Sequence, residues 1–178
     1  MFAIVLAALD RNGSVLPILC AMAVHELAHI VMMLACGGQV RRLTLRFADL
    51  QIAASGLGYR QELLSALAGP LVNLICGAAF CMQRPSFAAY SLMLGIYNLL
   101  PVWPLDGGRV LRCALLARLP ITQAEHISEI VSFAACAVLL LIGVFLTFFR
   151  KSGLWPLGTA AYLTVRLLML ARRTDAVQ

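Results

Sequence analysis

His25, Glu26 and His29 stand in the stretch AVHELAHIVMML, residues 23–34, whose other members are apolar enough for the middle of a bilayer. On a helix, positions i and i+4 share a face, so both imidazoles reach a single ion. Glu26 follows the first histidine by one residue and is rotated about 100° around the axis, which directs its carboxylate to the open side of the ion without occupying it. Two nitrogen ligands and an adjacent general base are the equipment of a zinc hydrolase. A blander arrangement would have the histidines hydrogen-bond to neighbouring helices and the glutamate pair with an arginine. An acidic group at bilayer depth costs on the order of 3 kcal/mol on insertion scales, and three ionisable groups at ligand spacing favour function over packing.

Catalytic zinc is generally held by three protein ligands plus water, so a third ligand is required. Glu62, Glu125 and Glu129 fall near the ends of predicted helices, at the interface. Asp106 instead lies in NLLPVWPLDGG, where Pro101, Pro104, Gly107 and Gly108 interrupt a helix. Irregular backbone is tolerated at membrane depth where it lines a protein-walled cavity, so this segment can bring Asp106 beside the first helix. The alternative is that Asp106 caps the short helix after it. Asn73 has two readings of its own. Gly69, Asn73 and Gly77 recur at four-residue spacing, giving a narrow face on which one helix approaches another while the asparagine bonds across the contact, and a role toward substrate is the second reading. His126, in AEHISE, reads as an ordinary interfacial residue.

The elements that must position these residues follow from composition. The chain has 178 residues, 62% of them hydrophobic and 12% charged, with a mean hydropathy of +0.90. An ordinary soluble surface is excluded, and an integral membrane protein is expected. The formal charge of +6 comes from 14 basic residues, all arginine but Lys151, set at the ends of apolar segments. That distribution fits lipid headgroups and not nucleic acid. Cys20, Cys36, Cys76, Cys81, Cys113 and Cys136 make no C-x-x-C pair and read as small packing residues.

Residues 2–9 would span only about 12 Å as a helix, short of a hydrocarbon core of roughly 30 Å, and lack the basic start and small-residue cleavage site of a signal peptide. Residues 15–36 can cross. Residues 40–55, rich in aliphatic residues in partial alternation, read as a β-hairpin at the membrane surface. Further crossings are expected over 63–82, 86–100, 126–149 and 154–171, with a short interfacial helix carrying Arg109, Arg112 and Arg118. The expected fold is therefore an all-α polytopic membrane protein with about five crossing helices, one short interfacial helix and a small membrane-associated β-hairpin. Residues 1–178 read as a single domain, with a core over 15–118 and two accessory helices within 126–171. Arginine placement puts the hairpin and the carboxyl terminus in the cytoplasm.

HELAH together with NLLPVWPLDGG resembles the site-2 protease family of intramembrane zinc metalloproteases, in particular the bacterial branch that includes the sporulation protease acting on a membrane-tethered pro-sigma factor. ALAGPLVN, containing Gly69, Pro70 and Asn73, is similar to the family's middle-helix motif. The three motifs follow the family's order, and the likeness extends over about residues 15–118. It implies one zinc ion per chain on His25, His29 and Asp106, and Glu26 as general base. It also makes Asn98, two helical turns before Asp106, a candidate oxyanion donor or substrate-positioning residue, with a helix–helix hydrogen bond as the alternative.

The implied reaction is hydrolysis of a peptide bond within or near a transmembrane segment of a membrane-tethered protein, in a bacterial cytoplasmic membrane, with a regulatory membrane protein as a further candidate partner. The strand pair would accept unwound substrate as an added strand. The competing class is a membrane protein that binds or transports zinc without hydrolysis, for which Glu26 has no use. Two departures from the family stand out: only residues 2–9 precede the first long helix, and neither a PDZ-like insertion nor a nucleotide-sensing domain is present between residues 1 and 178.

Overall fold

The computed structural model describes residues 13–46, 49–55, 58–149 and 155–175, and for 39–55, 149, 155–156 and 170–175 the backbone alone. The apolar run at 2–9 lies outside the described residues. The chain divides into two compact units, Met1–Leu99 and Leu100–Gln178.

The first unit contains α1 (Val15–Ala35), the strands β1 (Gln39–Arg46) and β2 (Asp49–Ser55), α2 (Tyr59–Ala79) and α3 (Pro85–Asn98). Helix α1 ends where Gly37 takes a φ of 80°, a left-handed conformation open to glycine at little cost. Gly37 and Gly38 donate their N–H groups to the carbonyls of Leu34 and Met33 and satisfy the helix end. The strands pair antiparallel, with Leu45 opposite Leu50 and an irregularity between Val40 and Arg42. Residues 47–48, which join them, are outside the described residues.

Helix α2 starts earlier than the hydrophobic pattern suggests. Gln61 accepts from the N–H of Gly58 at 2.9 Å and donates to the carbonyl of Cys36 at 3.0 Å, so one polar side chain closes the start of α2 and ties it to the end of α1. Helix α3 begins with Pro85, whose fixed φ suits a first helical position. The three helices pack on one another. Gly77 lies against Leu92, and Gly95 against Leu74 and the carbonyl of Pro70, which lets α2 and α3 approach closely.

The second unit contains α4 (Asp106–Leu116), α5 (Ile121–Phe149) and α6 (Trp155–Asp175), with α5 packed on both of the others. Three helices among the described residues are long and apolar enough to cross a membrane, Val15–Ala35, Tyr59–Ala79 and Ile121–Phe148, and the chain is an integral membrane protein. These correspond to the crossings expected over 15–36, 63–82 and 126–149. Helix α3 has 14 residues, about 21 Å at 1.5 Å per residue. Helix α6 carries an apolar stretch over Leu157–Met169. The expected short helix is α4, which carries Arg109 and Arg112 and ends at Leu116, before Arg118. The six cysteines are free thiols, with Cys113 and Cys136 buried.

Candidate metal centre

In the first unit His25 and His29 lie on the buried side of α1, 4% and 7% exposed. Their Nε2 atoms are 3.1 Å apart and the rings meet edge to face. Helix α2 controls both rings through three residues at four-residue intervals. The Nδ1–H of His29 donates to the carbonyl of Ser65 at 2.7 Å. A carbonyl only accepts, so the proton of His29 sits on Nδ1 and the lone pair on Nε2. Gly69 makes room for the imidazoles, since a Cβ there would come 2.4 Å from Nε2 of His29 and 2.9 Å from Cε1 of His25. Asn73, fully buried, has its amide nitrogen 3.2 Å from Nδ1 of His25. Because the helices run antiparallel, His29 meets Ser65 and His25 meets Asn73, with Gly69 between.

This arrangement suits a cation. Two imidazole nitrogens at 3.1 Å hold either a proton or an ion between them. A tetrahedral ion with metal–nitrogen distances of about 2.0–2.1 Å separates two ligands by roughly 3.3–3.4 Å, within a few tenths of the observed spacing. The outer nitrogen of each ring is also engaged, as is usual for metal-bound histidine. Glu26 follows His25 on α1 and is half-buried. Asn98, the last residue of α3, donates from Nδ2 to the carbonyl of Leu94 at 3.1 Å, one turn back on its own helix. That bond uses one of its two amide hydrogens and leaves the other for a second acceptor.

In the second unit Asp106 is the first residue of α4, with Leu105 as N-cap, so it does not serve as the cap. Its side chain is held at a helix N-terminus, which favours a negative charge. The carboxylate lies 3.7 Å from Nη1 of Arg109, one turn on, and the residue is 9% exposed. The preceding segment is fixed from several sides. Val102 is completely buried. The N–H of Trp103 donates to the hydroxyl of Ser132 at 3.1 Å, and that hydroxyl donates to the carbonyl of Ser128 at 2.8 Å. Arg112 lies 6.0 Å over the Trp103 ring and pairs with Glu125 at 2.8 Å. Gly108 lies so close to this segment that a Cβ would come 2.6 Å from Trp103 N and from the carbonyl of Val102.

The spacing places His25, Glu26 and His29 on one helix but does not point to Ser65, and it gives Gly69 a packing role and a place in a motif without linking it to the histidines. The missing signal is a second periodicity: Ser65, Gly69 and Asn73 recur every four residues, as His25 and His29 do. His126 is exposed, as an interfacial residue would be.

The match to the model of peptidase family M50 covers residues 84–142. A zinc metalloprotease of Methanocaldococcus jannaschii is 26% identical over 137 residues, covering 70% of this chain and 40% of that protein. Stage IV sporulation protein FB of Bacillus subtilis is 28% identical over 148 residues, covering 76% and 50%. The chain thus spans half or less of the length of these curated relatives. In fold it is similar to the site-2 protease from Methanocaldococcus jannaschii, with a TM-score of 0.68 at 19% identity, over 94% of this chain and 83% of the other.

Proposed function

We propose that this chain, a relative of the site-2 proteases of peptidase family M50, is an intramembrane zinc endopeptidase that hydrolyses a peptide bond within or near a transmembrane segment of a membrane-tethered protein. The observation that carries this reading is the paired imidazoles of α1, their Nε2 atoms 3.1 Å apart and the proton of His29 held on Nδ1 by Ser65. The proposed ligand set is His25, His29 and Asp106. The chemistry of the set supports it: two neutral imidazoles and one carboxylate are a common catalytic zinc set.

When bound, zinc would polarise both a water and the scissile carbonyl. Glu26 takes the proton of the attacking water and passes it to the leaving amine, which its place one residue after a ligand allows. Asn98 stands as the candidate donor to the developing oxyanion, through the amide hydrogen that Leu94 does not use. The strand pair lies at the membrane surface and receives the substrate, once unwound, as an added strand. Arginine placement supports a cytoplasmic carboxyl terminus.

The test is co-expression with candidate single-span proteins. Glu26→Gln should keep about one zinc per chain and lower cleavage by roughly 10²–10⁴-fold, the usual contribution of a positioned base. Zinc transport that survives this substitution, with no cleavage by the unaltered protein, would favour a transporter instead. Leu45→Pro, which removes a backbone N–H from β1, should impair cleavage while zinc stays bound. Normal processing by that variant would remove the strand pair from the reading.

A further inference from the structure

The Asn73 amide has an orphan. The residue is 0% exposed, its Nδ2 lies against His25, and its Oδ1 has no hydrogen-bond partner. The two amide atoms are interchangeable by a half-turn of the side chain, so the protonation of His25 decides which one faces the ring. An imidazole that offers its Nε2 lone pair to a cation carries its proton on Nδ1, and an Nδ1–H needs an acceptor. Nδ2 is a donor and cannot serve. Oδ1 can, from the same place.

We infer that Asn73 is a positioning residue for the metal centre: its amide oxygen accepts from Nδ1–H of His25 and holds Nε2 of that ring unprotonated and turned toward the ion. The inference rests on the zinc reading above and goes beyond it by assigning a role to a residue outside the ligand set. The two ligating rings are then supported differently. His29 donates to a backbone carbonyl, which is fixed in kind. His25 donates to an amide, which can turn. One amide atom lacks a protein partner in either orientation, so the bond to His25 sets the balance. A metal-bound imidazole is the stronger donor and pulls the oxygen toward it. Asparagine serves both the metal-free and the loaded ring, because it offers a donor or an acceptor without adding charge.

The experiment measures zinc affinity of the purified full chain in detergent by chelator competition, with the absorption spectrum of the cobalt-substituted protein as a second readout. Asn73→Leu keeps the bulk and removes both polar atoms; it should weaken zinc by about 10–100-fold, the usual loss for a partner of a ligating histidine. Asn73→Asp offers only acceptors and should bind at least as tightly as the unaltered protein, with an unchanged cobalt spectrum. Equal affinity in Asn73→Leu and the unaltered protein overturns the inference alone. So does an equal loss in both variants, which would mark a packing role. If Asn73→Leu does not fold, Asn73→Asp decides: affinity at or above that of the unaltered protein supports the inference, and a tenfold loss overturns it. An unaltered protein that takes up no zinc overturns the metal reading itself, and the inference with it.

Discussion

Two glycines, one in each unit, are both too crowded to accept a Cβ, yet what crowds them differs. Gly69 on α2 faces the imidazole tips of His25 and His29, whereas Gly108 on α4 faces the backbone of Val102 and Trp103. The first unit presents its chemistry on side chains that project between packed helices, where rings can swing away while the helices stay in place. The second presents Asp106 at the end of a helix whose start is pressed against an irregular segment, so the position of the carboxylate is set by main chain. Crowding at Gly69 therefore threatens the ligands, and crowding at Gly108 threatens the fold.

The largest effect that bears on this contrast should come from removing a ligand on either side. His29→Ala and Asp106→Ala should each weaken zinc by more than the roughly 10–100-fold typical of outer partners, measured by chelator competition. Asp106→Ala with undiminished affinity would break the proposal that the second unit supplies a ligand. Next, Gly108→Ala should destabilise the protein by about 1–3 kcal/mol, because backbone atoms cannot give way as a side chain can. It should be seen as a lowered unfolding midpoint of the metal-free protein. The smallest change in stability belongs to Gly69→Ala, where the gain of about 1 kcal/mol from alanine in a helix offsets part of the crowding. Zinc affinity should fall by roughly tenfold or more as the rings are displaced, on the scale of lost ligand orientation. If Gly69→Ala lowered stability as much as Gly108→Ala and left zinc untouched, the contrast would be reversed.

Much of the first unit could be read in advance. Residues 15–36 announce α1 by length and apolarity, and Gly37-Gly38 announce its end. The start of α2 is harder to place, because it depends on Gln61 reaching both Gly58 and Cys36. Runs of apolar residues do not by themselves fix a crossing. Residues 86–100 look like a spanning segment by composition, but the helix formed is Pro85–Asn98, too short to cross upright. Composition records what a segment tolerates, whereas length decides whether it spans. At Asp106 the prolines and glycines support a ligand reading and the aspartate itself a cap reading, and the cap falls to Leu105.

The sequence by itself determined that His25 and His29 share a helix face with Glu26 beside them, because a helix of 3.6 residues per turn converts spacing along the chain directly into direction in space. Only the tertiary structure decided what stands behind those rings: the carbonyl of Ser65, the space over Gly69 and the amide of Asn73. Ser65 lies 36 residues from His29 along the chain, and Asn73 lies 48 from His25. Their pairing depends on how far one helix is slid and turned against another, and residue types leave that choice open until the helices pack.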